Sequence, residues 1–120
     1  MARPLLLKLT AGAEAPERAN QALTVAAAAV LSGASTELWL TGDAVWFAVA
    51  GRVPGLALAG ATPAADLVAT VLAGGAIRVC SQCAGRRGLT EADLLPGARI
   101  AGAASFVEAA LRDDVQALVY

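Results

Sequence analysis

The chain has 120 residues, carries a net charge of −1, and contains two cysteines and no histidine. That length predicts one domain with a core large enough to fold without a disulfide staple. The even charge, with no basic cluster beyond Arg86-Arg87, argues against the cationic face that a nucleic-acid binder needs, so no direct nucleic-acid contact is expected.

Strand and helix patterns alternate from end to end, without a repeat or a linker. "PLLLKLT" (Pro4–Thr10) reads as a buried strand, apolar except for Lys8. Pro16 opens a helix at its favoured first position, with Glu17 well placed against the helix dipole, and Gly33 closes it. "TELWLT" (Thr36–Thr41) is a second strand ended by Gly42-Asp43. "AVWFAVAG" predicts a short helix, and "RVPGLALAG" an irregular connector. Thr62-Pro63 reads as an N-cap before "PAADLVATVLA", which ends at Gly74-Gly75.

The third strand is "AIRVC" (Ala76–Cys80). After it, Thr90 to Asp93 reads as a capped helical turn, "ARIAG" (Ala98–Gly102) as a short strand, "ASFVEAALR" as a helix and "VQALVY" as the closing strand. Near-continuous apolar strands separated by helices are the pattern of a parallel sheet covered on both faces. The expected fold is an α/β three-layer sandwich, flavodoxin-like, with about five mostly parallel strands flanked by helices. Strand order is not derivable from this pattern.

Apolar residues make up 58% of the chain, above the ~45–50% usual for soluble domains, and much of the excess is alanine. No segment reaches the ~18–20 apolar residues of a membrane span, so no membrane association is expected. Leu5-Leu6-Leu7 stops at Lys8, far short of a ~7–15-residue signal-peptide core. The expected compartment is therefore a reducing cytoplasm, where a lone Cys-x-x-Cys points to chemistry more than to a structural bridge. The apolar excess predicts that some surface enters a subunit interface.

In open parallel sheets, ligands bind outside the carboxyl ends of the strands. The ends here carry Gly12, Gly42-Asp43, Cys80-Ser81-Gln82-Cys83 and Gly102. Cys80 closes a strand expected to be central. Unpaired backbone N–H groups after it, with Arg86 and Arg87, would favour a thiolate over a thiol. "VCSQCAGRRG" is open to several readings: a nucleophile for sulfur chemistry, a redox pair, two inert buried thiols, or half of a zinc site shared between subunits. Within one chain, two cysteines fall short of the four ligands of structural zinc, and no metal site is predicted. Arg87 also fits a solvated loop, and Asp43 a simple turn residue. "LTAGAE" lacks the glycines and the Lys-Ser/Thr of a phosphate loop. Trp39, Trp46 and Phe47 read as core or interface, and nothing points to an organic cofactor.

Several segments together resemble the DsrE-like family of small sulfur-relay proteins, whose members serve tRNA thiolation and sulfur oxidation. "LTAGAEAPERANQAL" is similar to the family's first strand, loop and Pro-Glu-Arg helix start, "WLTGDAVW" to the segment after its second strand, and "DLLPGARIAGAASFVEAALRDDVQALVY" to its closing helix and strand. The most specific element is Cys80, followed six residues later by Arg86-Arg87-Gly88. The resemblance spans nearly the whole chain and implies a single domain over residues 1–120. It also implies a flavodoxin-like fold, a homotrimer or homohexamer, and sulfur donor and acceptor proteins as partners. Cys80 would carry sulfane sulfur as a persulfide, with Arg86 stabilising the anion. Cys83 stands where family members generally carry a small residue. It implies a second chemistry, in which the neighbouring thiol attacks the persulfide, releases sulfide and leaves a disulfide. A dithiol redox protein or sensor and a non-catalytic oligomeric binding module are the alternatives.

Overall fold

The computed structural model describes residues 3–120. Its strands are β1 (Leu5–Leu9), β2 (Thr36–Leu40), β3 (Ala76–Cys80), β4 (Arg99–Ala101) and β5 (Gln116–Val119). The α-helices are α1 (Pro16–Leu31), α2 (Ala64–Gly74), α3 (Ser81–Arg86) and α4 (Ala103–Ala110), with 3₁₀ helices at Gly42–Ala48 and Glu91–Asp93. The strands form one parallel sheet in the order β4-β3-β2-β1-β5, flanked by helices in a flavodoxin-like α/β sandwich. No helix among the described residues is long and apolar enough to cross a membrane.

Local chemistry accounts for most element ends. Pro16 begins α1, where its missing N–H is not needed. Gly33 ends it with φ +89°, as the Gly33 N–H donates to the Val30 carbonyl and the Ala34 N–H to the Ala29 carbonyl. That pair of bonds satisfies carbonyls the last helical turn leaves unpaired. Thr90 and Asp93 form a capping box around the second 3₁₀ turn. One expected cap differs: α2 has Pro63 at its N-cap and no side-chain cap bond from Thr62. The Pro63 carbonyl instead accepts from the Asp66 and Leu67 N–H groups.

Strand order follows a simple path. From β1 to β4 each strand is added on the same side of the last, and then the chain crosses back to place β5 beside β1. Parallel crossovers are nearly always right-handed, so the three connections running one way lie on one face and the return connection on the other. The packing agrees. Leu7, Leu9, Leu38, Leu40, Ile77 and Val79 point into a core shared with α1, α2, the first 3₁₀ helix and α3. The alternate residues Lys8, Glu37, Trp39, Arg78 and Cys80 point to the opposite face, where Phe106 of α4 packs on Trp39. That second face is covered by a single eight-residue helix with no buried residue of its own. At β3 and β4, neighbouring strands send their following helices to opposite faces, which opens a crevice at the carboxyl end of β3.

Candidate functional site

Cys80 lies at this crevice. It ends β3 with φ −55° and ψ 125°, directly before the first turn of α3. Cys80 lines a half-enclosed cavity of about 280 Å³ between the strand ends and α4, together with Lys8, Trp39, Ser81, Gln82 and Phe106. Trp39 and Phe106 form an edge-to-face pair with centroids 5.4 Å apart and an 82° interplanar angle. The Lys8 ammonium sits 4.6 Å from the Phe106 centroid, within cation–π range. The Trp39 Nε1–H donates to Glu37 Oε1 at 3.0 Å, and the same oxygen pairs with Arg78 Nε at 3.7 Å. Glu37 is thus already engaged by its strand neighbours. The ion pairs among the described residues are Arg78–Glu37 and Arg87–Asp43, so Lys8 has no carboxylate partner there.

The Cys80 thiol is held below its ordinary pKa by opposing effects. Partial burial pushes it up, whereas the Cys83 backbone N–H, the Cys83 thiol, the Gln82 N–H and the Lys8 charge favour the thiolate and prevail. The thiolate is the nucleophilic form, so this setting suits attack on sulfur.

Cys83 lies one turn on, with its side chain packed among the core residues and 9% exposed. The Gly42 N–H points at its Sγ from 3.1 Å. Both cysteines are free thiols. Gly42 has φ +57°, which glycine adopts at little cost, and this turn directs its N–H to the sulfur. Gly12 is required for a different reason: a Cβ there would come within 2.5 Å of the Asp43 carbonyl oxygen, so the loops after β1 and β2 touch through bare backbone.

The expected site residues separate into two groups. On the core side, Arg87 clamps the loop after β2, donating from Nη2 and Nε to Asp43 Oδ1 at 2.8 and 3.2 Å and from Nη1 to the Cys83 carbonyl at 3.0 Å. Gly12, Gly42, Asp43, Cys83 and Arg87 form this bracket beneath α3. On the cavity side, Gly102 begins α4, and a Cβ on it would lie 3.5 Å from Ser81 Oγ. Arg86 is exposed, bonding Gln82 Oε1 at 3.4 Å, and is not among the groups that lower the Cys80 pKa. The cation facing Cys80 is Lys8. Sequence reasoning missed Lys8, Trp39 and Phe106 as site residues. The one available signal was a lone charge within an otherwise apolar strand.

The family model described as the DsrE/DsrF-like family matches residues 5–116. No curated protein matches the chain. Among solved structures, the ychN protein of E. coli superposes with a TM-score of 0.82 at 20% identity, covering 98% of this chain and 99% of that one. Protein MTH1491 of Methanobacterium thermoautotrophicum, titled a protein of unknown function, gives 0.69 at 13% identity over the full length of both. At such identities the likeness establishes the fold alone.

Proposed function

The chain belongs to the DsrE/DsrF-like family, and from that premise we propose that it is a small sulfur-relay protein with Cys80 as the sulfur-bearing nucleophile. The observation that carries this reading is a cysteine with a depressed pKa that lines a cavity at the crevice of the sheet. The Cys80 thiolate attacks the outer sulfur of a donor persulfide, R–S–SH. A Cys80–S–SH persulfide forms, and the donor leaves as R–S⁻. An acceptor thiolate R′–S⁻ then attacks the same outer sulfur, giving R′–S–SH and returning Cys80 to its thiolate. Lys8 and the two backbone N–H groups stabilise the anion at each stage.

Donor and acceptor are proteins bearing reactive thiols, met in a reducing cytoplasm where both cysteines stay free. The chain assembles with itself as a trimer or hexamer. This is supported by Val107 on α4, Leu111 just after it and Val119 on β5, which are 51%, 76% and 65% exposed. A second reading rests on the Cys83 thiol beside Cys80: Cys80–S–SH and Cys83–SH give the Cys80–Cys83 disulfide and H₂S, making the chain a dithiol protein.

Intact mass after incubation with a protein persulfide donor separates the two. Relay predicts a stable gain of about 32 Da, one sulfur atom, in the wild type and Cys83→Ser, and none in Cys80→Ser. The dithiol reading predicts sulfide release and a loss of about 2 Da in the wild type, with the added sulfur trapped only in Cys83→Ser. No mass change in any of the three overturns both.

A further inference from the structure

The cavity beside Cys80 bears on the kind of molecule that can reach the sulfur. Its volume, about 280 Å³, is just below the ~300–1,000 Å³ range of drug-sized ligand sites, which suits a small ligand better than a large one. None of its lining residues is acidic. It holds one cation, Lys8, without a carboxylate partner among the described residues. Several polar groups at its wall are already committed. The Thr10 hydroxyl donates to the Tyr120 carbonyl at 2.6 Å, and the Thr41 hydroxyl to the Leu9 carbonyl at 3.2 Å. Gln82 accepts from Arg86 through Oε1, which leaves its NH₂ as a donor, and Ser81 adds a hydroxyl. The lining residues with polar groups not committed in this way are therefore Lys8, Gln82 through its NH₂, Ser81 and Cys80, beside the aromatic Trp39 and Phe106. The Lys8 ammonium thus keeps the Phe106 ring as its partner among the described residues, and an anion entering the cavity would meet its charge.

We infer that this cavity admits a small inorganic sulfane-sulfur anion, thiosulfate or the hydrodisulfide anion, and that Cys80 can be loaded directly by it. The inference rests on Cys80 being the sulfur-bearing nucleophile and extends that reading from protein donors to a free anion. With thiosulfate, Cys80–S⁻ attacks the outer sulfur, the S–S bond of the anion breaks, and sulfite leaves: Cys80–S⁻ + S–SO₃²⁻ → Cys80–S–S⁻ + SO₃²⁻. With hydrodisulfide, Cys80–S⁻ + HS–S⁻ + H⁺ → Cys80–S–SH + HS⁻. No outside oxidant or reductant enters either step, because the S–S electron pair departs with the leaving group. In both, two anions must meet. Lys8 offsets their repulsion and holds the charge that leaves, and the Gln82 NH₂ and Ser81 hydroxyl are placed to donate to it.

The test follows the rate of gain of one sulfur on Cys80 against the concentration of thiosulfate and, separately, of sodium disulfide, at constant ionic strength. A persulfidated protein donor is run in parallel. The expected result is saturable loading by at least one anion, with excess sulfate competing. Lys8→Met should lower loading by that anion roughly tenfold at low concentration, the scale of one nearby charge in a partly wet site, and Lys8→Arg should restore most of it. Alkylation of Lys8→Met by uncharged iodoacetamide at high pH reports whether its Cys80 remains accessible. Loading that is linear in both anions and equal in the wild type and Lys8→Met overturns the inference. Sulfur gained from the protein donor but from neither anion overturns it and leaves relay standing. No gain from any donor overturns relay as well.

Discussion

The two faces of the sheet are built by opposite rules. On the face of α1 and α2, the inward strand residues of β1 to β3 past the first pair, Leu5 and Thr36, are aliphatic and essentially inaccessible: Leu7, Leu9, Leu38, Leu40, Ile77 and Val79. On the face of α4, the same strands present buried Leu6 and Trp39 but also Lys8, Glu37, Arg78 and Cys80, with Phe106 packed against Trp39 and the Lys8 ammonium. The difference stems from the path of the chain. Three crossovers run one way and one runs back, so one face receives nearly all the helix and the other receives two turns. The packed face supplies stability. The thinly covered face leaves room for charge, a cavity and an accessible sulfur.

The largest effect should come from disturbing the packed face. Leu40→Ala removes a fully buried side chain and should cost about 2–5 kcal/mol in chemical denaturation. Phe106→Ala, on the half-covered face, should cost clearly less while leaving Cys80 more exposed to alkylating reagents. Equal costs would break the contrast between the faces.

Next in size is the electrostatic setting of Cys80. Because its pKa is lowered, the thiolate persists as pH falls, and the alkylation rate should decline only below the ~8.5 midpoint of an ordinary thiol. Lys8→Met should move that midpoint upward, since it removes a charge that favours the thiolate. A wild-type midpoint at or above the ordinary value, read from rate against pH, would remove the electrostatic distinction of this face.

The smallest effect should come from the bracket at the carboxyl ends. Arg87→Gln loses an ion pair whose Asp43 partner is half-exposed, and should cost about 0.2–1 kcal/mol. Sulfur loading of Cys80 should stay near wild type, because Arg87 serves the core-side loop and not the cavity. A loss of loading larger than the loss of stability would show that the two sides of the site are coupled.

Much of this was legible in the residues. The five strands and the main helices follow from runs such as "AIRVC", from Pro16 at a helix start and from Gly33 at its end, because these are local effects of φ, capping and periodicity. The placement of Cys80 at a strand end was legible for the same reason, and so was the family resemblance. Lys8 was not. Its strand looked like a buried run with one blemish, and its partners Phe106 and Cys80 come from distant parts of the chain. Arg86 and Arg87 stand next to the cysteines in sequence, yet α3 turns one onto Gln82 and the other onto Asp43.

The sequence by itself determined which segments become strands and helices, and that a cysteine ends the third strand, since backbone propensity and alternation act over a few residues. Only the tertiary structure decided that Cys83 packs into the core while Cys80 lines the cavity, that Lys8 is the cation acting on Cys80, and that the cavity opens beneath α4. Those outcomes depend on strand order and crossover direction, which bring together side chains that no local rule relates.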